Sequence, residues 1–468
     1  MFDIKQYLNE KKKLLVTVAD EIWGFSELKN EEYCSSKLLE KTLEEQGFHI
    51  TSGIAELDTA FVAQYGEGSP IIAFLGEYDA LPDLSQEAGI AVHKPITEGG
   101  PGHGCMHHVL GTAAMGAAMG VKEFLDKNNM KGTVRFYGCP AEEGGTGKQH
   151  MALHGVFDDV DAAITWHPTD DNNIWSMNFL ATMSATFTFH GISAGAPALS
   201  HLGRSALEAV ELMGVGSNYL RGHVQRDVCI NYAITNAGGI APNVIPDRAQ
   251  VIYLLRANTR KKVSEVFKRL KDIAQGAALM SGTSVEYEQS MGTSELIQNR
   301  ALERILYDKL AEIGPVSYND EDISFSRELR KTFPEMAESS TFDTLKMLYG
   351  EIADQIIPQI KGKDINDVVY PYVPIETAKY GSTDVCDVSW FTPVAQVTTA
   401  CYVKDTPGHS WQATAQGKTN LCRNGMMNAA KIMALAGAEL FVNPDELQAV
   451  RSEFLRATEG KDYRKNFE

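Results

Sequence analysis

The first 170 residues alternate short strand-like runs with helical patterns, and this alternation constrains the fold more than any other feature of the chain. Strand-like runs occur at 60–63, 71–75, 133–137 and 162–166. Between them, residues 105–126 are rich in Ala, Gly, Met and Leu, which is typical of a buried helix. Because strands that alternate with helices build layered sheets, we predict an α/β fold for this part of the chain.

The pattern changes near residue 180. Apolar and polar residues alternate strictly over 183–190, which predicts a strand with one buried face and one solvent-exposed face. A helix at 205–220, two strands, a second helix at 262–280 and a strand at 284–289 complete the order β-α-β-β-α-β, which is typical of a ferredoxin-like unit.

We therefore predict two domains. The first is discontinuous and consists of residues 1–180 and 300–468. Residues 181–299 form an inserted α+β domain within it, because helices and a strand near 397–403 follow the ferredoxin-like pattern. We interpret residues 333–372, which show no clear period, as an elaborated loop with a short helix.

Charge and cysteine content narrow the class of protein. The net charge of −18 argues against nucleic acid or an anionic membrane as a partner, since both bind basic surfaces. Seven scattered cysteines do not form a disulfide framework. The polar start of the sequence does not resemble a secretory signal, so we expect a cytoplasmic enzyme.

Four short segments, 102–108, 140–145, 166–168 and 407–410, contain most of the residues that could carry chemistry. Most of these segments lie at or after the end of a strand-like run, where open α/β sheets form their binding crevice.

In the first segment, Cys105 and His107 share a face only if the chain is extended there. We therefore expect the helix to begin near Val109, with its N-terminus favouring a Cys105 thiolate.

Glu142 and Glu143 are adjacent and must point in different directions. One carboxylate can then bind a metal ion while the other transfers a proton, which suits metal-assisted hydrolysis. Thiolate, imidazole and carboxylate groups are all good ligands for zinc-like ions. The combination of these groups in four segments favours a metal-dependent hydrolase.

A serine hydrolase is the alternative from a different mechanistic class. Residues 191–195 match the G-x-S-x-G pattern of a nucleophile elbow, and Asp384 and His409 follow Ser193 in a known triad order. However, an elbow requires a helix that begins at the serine, and Pro197 interrupts one here. This alternative also leaves the Cys-His and Glu-Glu pairs without a role.

Several motifs together resemble the metallo-aminoacylase and carboxypeptidase amidohydrolases, which use two co-catalytic metals. Within this family the resemblance is strongest to the B-type subunit of aminobenzoyl-glutamate hydrolase, and it extends over nearly the whole chain. The motifs occupy residues 76–81, 102–108, 132–140, 142–145, 165–168, 201–205, 236–243 and 382–385.

The resemblance implies a zinc-peptidase-like α/β/α catalytic domain with an inserted ferredoxin-like lid that mediates dimerisation. It implies two divalent ions, zinc or manganese with cobalt as a further option, and a thiolate of Cys105 that both ions share. Glu142 would be the general base and acid, and Asp79 would orient a ligand. The remaining metal ligands would be His107, Glu143, His167 and His409. Weaker candidates for substrate contacts are Gly195, His201, Asn243 and Arg256.

Three positions depart from the family pattern. Met106 replaces the usual glycine between the Cys and His ligands, and His108 replaces an Asn or Asp. Gly195 replaces a histidine that normally helps to polarise the scissile carbonyl, a role that His201 could take over. We expect Met106 and His108 to reshape the wall of the site. Ordinary divergence, a specialised substrate and a deliberately altered variant all remain open as explanations.

The resulting prediction is hydrolysis of the amide bond of an N-acyl or aryl-acyl amino acid, without a nucleic acid or membrane partner. A homodimer is expected, and a heteromer stays open. A third possibility is a non-catalytic partner subunit that kept the fold and the metals.

Overall fold

The structure is a computed structural model that describes residues 2–195, 198–376, 378–379 and 381–463. The chain divides into two compact units. The first unit consists of Met1–Asn178, Ile297–Thr377 and Asp387–Gly460. The second consists of Phe179–Leu296 together with two short later segments, Ala378–Cys386 and Lys461–Glu468, which the sequence did not assign to it.

The strands are numbered in chain order. They are β1 (His49–Ser52), β2 (Phe61–Glu67), β3 (Ile71–Glu77), β4 (Gly132–Cys139), β5 (Ala162–Thr169), β6 (Asn173–Ile174), β7 (Asn178–Phe179), β8 (Ala181–His190), β9 (Ala194–Gly195), β10 (Cys229–Asn236), β11 (Val244–Ile245), β12 (Arg248–Ala257), β13 (Ser284–Thr293), β14 (Ala378–Lys379) and β15 (Val394–Ala400).

The α-helices are numbered in the same way. They are α1 (Ile4–Phe25), α2 (Tyr33–Glu45), α3 (His107–Lys127), α4 (Glu142–Gly145), α5 (Gly147–Leu153), α6 (Ala206–Leu220), α7 (Arg260–Ser281), α8 (Arg300–Ile313), α9 (Asp320–Arg330), α10 (Ala337–Tyr349), α11 (Ala353–Ile360), α12 (Val385–Val388), α13 (Trp411–Ala415), α14 (Asn420–Val442) and α15 (Pro444–Thr458).

The first unit contains a seven-stranded sheet in the order β1-β2-β4-β3-β5-β15-β6. Its central strands β4, β3, β5 and β15 are parallel, and the strands at both edges are antiparallel. The run 71–75 of β3 is continuously apolar because both faces of a central strand are covered, and all residues of β15 are buried, including the polar Gln396 and Thr398. The predicted α/β fold is confirmed.

Helix α3 is the buried helix that the sequence predicted. All of its residues from His107 to Val121 are buried, and it contacts α1 and α14. Small residues permit this close approach: a Cβ atom added at Gly120 would lie 3.2 Å from the Ala434 side chain of α14. The core therefore fixes the position of α3, whose first residue is the predicted metal ligand His107.

Helix α14 is the only described helix that is long and apolar enough to span a membrane by length and composition. Its most apolar window is 72% buried inside the protein, which is typical of a core helix.

The second unit contains a four-stranded antiparallel sheet in the order β10-β12-β8-β13, with α6 and α7 packed against it. Taken in chain order, the four long strands lie in the spatial order 2-3-1-4, which is that of a ferredoxin-like unit. Its core contains Phe187 and Phe189 of β8 with Phe267 and Leu270 of α7.

The prediction of a solvent-exposed face on β8 is wrong in part. Of the four polar residues that alternate along it, Ser184 and Thr188 are buried, whereas Thr186 is partly exposed and His190 is exposed. Strand β8 lies between two neighbours, and cross-strand partners cover part of its polar face: Thr182 hydrogen-bonds to Thr293 at 2.8 Å, and Thr188 accepts a hydrogen bond from Gln250 at 2.9 Å. The alternation of apolar and polar residues alone cannot show whether water or neighbouring strands cover the polar face.

The interpretation of residues 333–372 as mainly loop is also wrong, because α10 and α11 occupy much of this region. Their buried residues recur at helical spacing but belong to two separate helices: Leu345, Tyr349, Ala353, Ile356 and Ile360. Gly350, with a φ of 54°, interrupts the helical conformation between them, and Pro358 lies inside α11. These two helix-breaking residues explain why the sequence of this region shows no clear helical period.

Candidate metal centre

The candidate ligands lie where the central strands of the sheet end and where α3 begins. In the register of the first sheet, Glu77 of β3 pairs with Cys139 of β4, so these two parallel strands end side by side. His167 lies near the end of β5, beside Thr398 of β15. Asp79, Glu143 and His409 all follow the carboxyl ends of strands in this sheet, which is the usual position of a binding site.

Cys105 and His107 lie at the N-terminus of α3, but not as the sequence predicted. The helix begins at His107, two residues before the expected start at Val109. Met106 precedes it with a φ of 57° and a ψ of 33°, the left-handed conformation. This turn, and not an extended segment, brings the Cys105 and His107 side chains together.

The five predicted ligands form two groups that share one residue. Cys105, His107 and His167 make up the first group, and Cys105, Glu143 and His409 make up the second. Within each group all potential ligand atoms lie within 4.8 Å of one another. Cys105 Sγ is 3.4 Å from His167 Nε2, and His409 Nε2 is 3.3 Å from Glu143 Oε1. The thiol of Cys105 is therefore placed where two metal ions could share it.

Two of the histidines are oriented by hydrogen bonds on the nitrogen that does not face Cys105. Nδ1 of His167 lies 2.8 Å from the carbonyl oxygen of Pro168, and the ring stacks on Trp175 with centroids 4.7 Å apart. Nδ1 of His107 lies 2.9 Å from Asp79 Oδ1. A protonated Nδ1 donates to these acceptors and leaves Nε2 for a metal ion, as metal-binding histidines commonly do.

Asp79 connects the two groups. Its Oδ1 accepts a hydrogen bond from His107 Nδ1, and its Oδ2 accepts a hydrogen bond from the backbone N–H of Glu143 at 2.8 Å. Burial alone would raise the pKa of this carboxyl, but the adjacent His107 outweighs it and holds the pKa below its ordinary value. Asp79 thus remains an anion that hydrogen-bonds to one candidate ligand of each group, a position from which it could take the role that the family resemblance implied.

The turn after β4 separates the two glutamates. Ala141 and Thr146 have φ values of 58° and 55°, and Glu143 departs from helical angles with a ψ of 71°. Glu143 therefore joins the Cys105–His409 group, whereas a Glu142 oxygen lies within 4.8 Å of ligand atoms of Glu77 and His107. Non-glycine residues in left-handed conformations are costly and concentrate at functional sites.

Buried polar atoms test whether metal ions fit here. Nε2 of His107 and Oε1 of Glu143 are buried, and neither makes a well-aligned hydrogen bond with the residues that the structure describes, although each lies 3.3 Å from an ionisable neighbour, Glu77 or His409. An unsatisfied buried polar atom costs about 1–3 kcal/mol, and coordination of a divalent ion would satisfy both. Together with the thiol and the other imidazoles, this donor set suits zinc-like ions. The residues present therefore fit the implied metals.

Without a metal ion, the surroundings of Cys105 favour the neutral thiol and not the predicted thiolate. Loss of water around the thiol raises its pKa to about 12, and the α3 N-terminus does not reverse this. Burial would lower the pKa of His107, but Cys105 and Asp79 outweigh it and hold that pKa well above its ordinary value. A metal ion must therefore displace protons from this cluster as it binds.

A buried ion pair beside the cluster was missed by sequence reasoning. Lys148 Nζ of α5 lies 2.6 Å from Glu77 Oε1, and both side chains are almost completely buried. The second Glu77 oxygen lies 3.3 Å from His107 Nε2. A glutamate at the end of an otherwise apolar strand was the available signal, but only the fold shows that its partner comes from α5.

Met106 and His108 do not form a wall of the site, which corrects the sequence-based expectation. Both side chains are completely buried. Met106 belongs to the core of the first unit, where its sulfur lies 3.5 Å from Cys422 Sγ. His108 Nε2 lies 2.9 Å from the carbonyl oxygen of Gly417, and burial lowers its pKa well below the usual value. Both departures from the family pattern affect packing inside the unit.

The four weaker candidates all lie in the second unit. Gly195 is in β9, paired with Val244 of β11, and its Cβ position is open within 4 Å. His201 and Asn243 are exposed, and Arg256 lies in β12. Their predicted contacts with substrate stay predictions.

The described residues around Ser193 do not form the nucleophile elbow that the serine hydrolase alternative requires. Strand β9 follows Ser193 immediately, whereas a nucleophile elbow requires a helix that begins at the serine. His409, the proposed triad histidine, lies in the group with Cys105 and Glu143.

Comparison with known proteins adds to this geometry. Residues 73–399 match the model of peptidase family M20/M25/M40. The chain is 42% identical to the B-type subunit of p-aminobenzoyl-glutamate hydrolase from Escherichia coli strain K12 over 446 residues, which cover 95% of this chain and 93% of that protein. It is 32% identical to the indole-3-acetyl-aspartic acid hydrolase of Enterobacter agglomerans over 253 residues, 52% of this chain and 55% of that one.

Among solved structures, the fold is similar to that of a dinuclear metal-binding peptidase of the M20 family from Bacillus subtilis. The TM-score is 0.58 at 16% sequence identity, and the alignment covers 93% of this chain and 99% of the other. At this level of identity the similarity concerns the fold alone.

Proposed function

Because the chain belongs to peptidase family M20/M25/M40 and is a metal-dependent amidohydrolase, we propose that it cleaves the amide bond of p-aminobenzoyl-glutamate or a closely related N-acyl amino acid. The observation that carries the chemical part of this proposal is the position of Cys105 in both ligand groups. The substrate is proposed from the 42% identity to the Escherichia coli protein over nearly all of both chains.

Each residue of the centre has a defined task in this reaction. Cys105, His107, Glu143, His167 and His409 would hold two divalent ions. Such ions polarise the amide carbonyl and lower the pKa of water. Asp79 keeps His107 and Glu143 in position through its two oxygens.

Glu142 is the proton carrier in this proposal. Its carboxylate is not a member of either Cys105 group but lies close to His107, so it can reach an attacking water from beside the ions. The water oxygen adds to the carbonyl carbon while Glu142 takes a proton. Glu142 then delivers that proton to the amine nitrogen as the C–N bond breaks, which leaves a carboxylic acid and a free amine, and the acid then loses its proton to solvent.

Assembly and location belong to the same proposal. We expect self-association through the second unit, since Val215 and Tyr219 of α6 and Leu279 and Met280 of α7 are largely exposed apolar residues. The relative from Escherichia coli is named as one subunit of its enzyme, so a second, different chain is the alternative partner. A cytoplasmic location is supported by the seven free cysteines.

The test uses the purified full chain loaded with zinc or manganese and assayed for release of p-aminobenzoate from p-aminobenzoyl-glutamate. Release should stop after removal of metal by a chelator and return when metal is restored. N-acetyl-glutamate and p-aminobenzoyl-aspartate, as matched substrates, report the preference for the acyl group and the amino acid.

Four other outcomes would contradict parts of the proposal. Hydrolysis that survives chelation would exclude the metal mechanism. Efficient cleavage of other acyl amino acids, but not of the aminobenzoyl compound, would exclude the substrate. Normal metal content without any hydrolysis would favour the non-catalytic role, and activity that appears only with a second chain would establish this protein as a partner in a heteromer.

A further inference from the structure

A second set of metal-ligating side chains lies in the first unit and is separate from the five predicted ligands. It consists of Glu56, His150 and His154. Their potential ligand atoms lie within 4.8 Å of one another. Glu56 and His154 are exposed, and His150 is partly exposed, so an ion could reach all three from solvent.

The two histidines have a spacing that suits zinc. They are four residues apart at the C-terminal end of α5, so both rings extend over the same face of the helix. Their ring centroids are 4.3 Å apart. Two histidines at this spacing on one helical face provide two zinc ligands in several metalloenzymes.

One histidine is already oriented as a ligand. Nδ1 of His154 lies 2.8 Å from the backbone carbonyl oxygen of His150. A protonated Nδ1 that donates to a carbonyl fixes the tautomer in which Nε2 carries a lone pair, as in most metal-binding histidines.

The third ligand comes from a different segment. Glu56 ends the short 3₁₀ turn Ile54–Glu56, in which Ala55 and Glu56 have positive φ values of 53° and 60°. Ligand atoms around a tetrahedral zinc ion are about 3.4 Å apart, given zinc–ligand distances of about 2.0–2.2 Å. The ligand atoms lie within 4.8 Å of one another, so small rotations of exposed side chains need to close a gap of at most about 1.4 Å, and water can supply the fourth ligand.

We propose that Glu56, His150 and His154 form a further binding site for a zinc-like divalent ion, distinct from the centre around Cys105. An ion bound here connects the 54–56 turn to α5. Helix α5 carries Lys148, which pairs with Glu77, and it follows the turn that presents Glu142 and Glu143. The ion therefore reduces the motion of α5, which directly follows the turn that presents Glu142 and Glu143.

The test measures zinc binding to full chain whose Cys105 centre has first been saturated with zinc. Calorimetric titration should reveal one additional equivalent per chain. H150Q, H154Q and E56Q, which replace ligands on two separate elements, should each weaken this additional binding by at least about 10-fold. H49Q, a substitution of an exposed histidine on β1 of the same unit, should leave it unchanged.

Zinc should also slow amide hydrogen exchange in residues 147–154 of the wild type and not in H150Q. The proposal is overturned if the wild type binds no additional equivalent, or if H150Q and H154Q bind it as tightly as the wild type does. Neither readout depends on catalytic activity, so the result is independent of the proposed substrate.

Discussion

His107 Nδ1 and Asp79 Oδ1 lie 2.9 Å apart inside the first unit, and neither side chain is accessible to solvent. The other oxygen of the same carboxylate accepts from the Glu143 backbone. One carboxylate thus orients a candidate ligand from α3 and a candidate ligand from the turn after β4, so Asp79 connects the two groups of the candidate centre.

Asp79→Asn should weaken metal binding. An amide cannot accept hydrogen bonds at both positions, and it lacks the charge that supports His107. We expect a 10- to 100-fold loss of metal affinity, roughly the usual effect of losing a residue that orients a ligand. Competition with a chromophoric chelator measures this. Asp83→Asn, at an exposed carboxylate in the following loop, is the matched control, and equal affinities for the two variants would contradict the role of Asp79.

Glu142→Gln should retain the metals and lose turnover. The amide keeps the shape of the side chain but cannot take a proton, so kcat should fall by about 10²–10⁴. Glu143→Gln is the informative comparison, since it should lose metal and activity together. Metal content and kcat measured on both variants decide the assignment. If the Glu142 variant is the one that loses metal, the two roles are reversed.

Met106→Gly should affect stability and not chemistry. The wild-type side chain is completely buried in the core, and removing a buried methionine costs about 2–5 kcal/mol. Glycine relieves about 1–2 kcal/mol of left-handed strain at this position. We expect a net loss of up to about 4 kcal/mol in urea unfolding, with unchanged metal content. A shift in substrate preference at constant stability would show instead that Met106 contacts the substrate.

Metal loading should release protons. The pKa of Cys105 is about 12 and that of His107 is well above its usual value, so both groups are protonated at pH 7 without a metal. Coordination needs the thiolate and a free His107 Nε2, so about two protons leave and the apparent affinity rises with pH. Calorimetry in two buffers of different ionisation enthalpy counts these protons. Cys105→Ser should release about one fewer, and an identical count would contradict the involvement of the thiol.

Sequence patterns predicted the elements that depend on local periodicity. The buried parallel strands and the apolar helix α3 follow from runs that few other structures accommodate. The segments that contain the candidate ligands were singled out because groups that can bind metal ions followed strand ends in three of them and opened a helix in the fourth. The ferredoxin-like order was also readable, since each of its elements is long and regular.

Other features depend on tertiary contacts that no local pattern contains. The early start of α3 at His107 requires Met106 to adopt a left-handed conformation, which its residue type does not favour. The pairing of Glu77 with Lys148 joins residues 71 positions apart. Likewise, the direction of Met106 and His108 into the core is set by the packing partners of α3, Cys422 and Gly417.

The most direct test of the proposed centre is an anomalous diffraction measurement at the metal absorption edge on crystals of the zinc-loaded chain. We expect two ions at the centre with Cys105 Sγ within bonding distance of both, one completed by His107 and His167 and the other by Glu143 and His409. A single ion at the centre, or two ions of which only one binds Cys105, would contradict this arrangement.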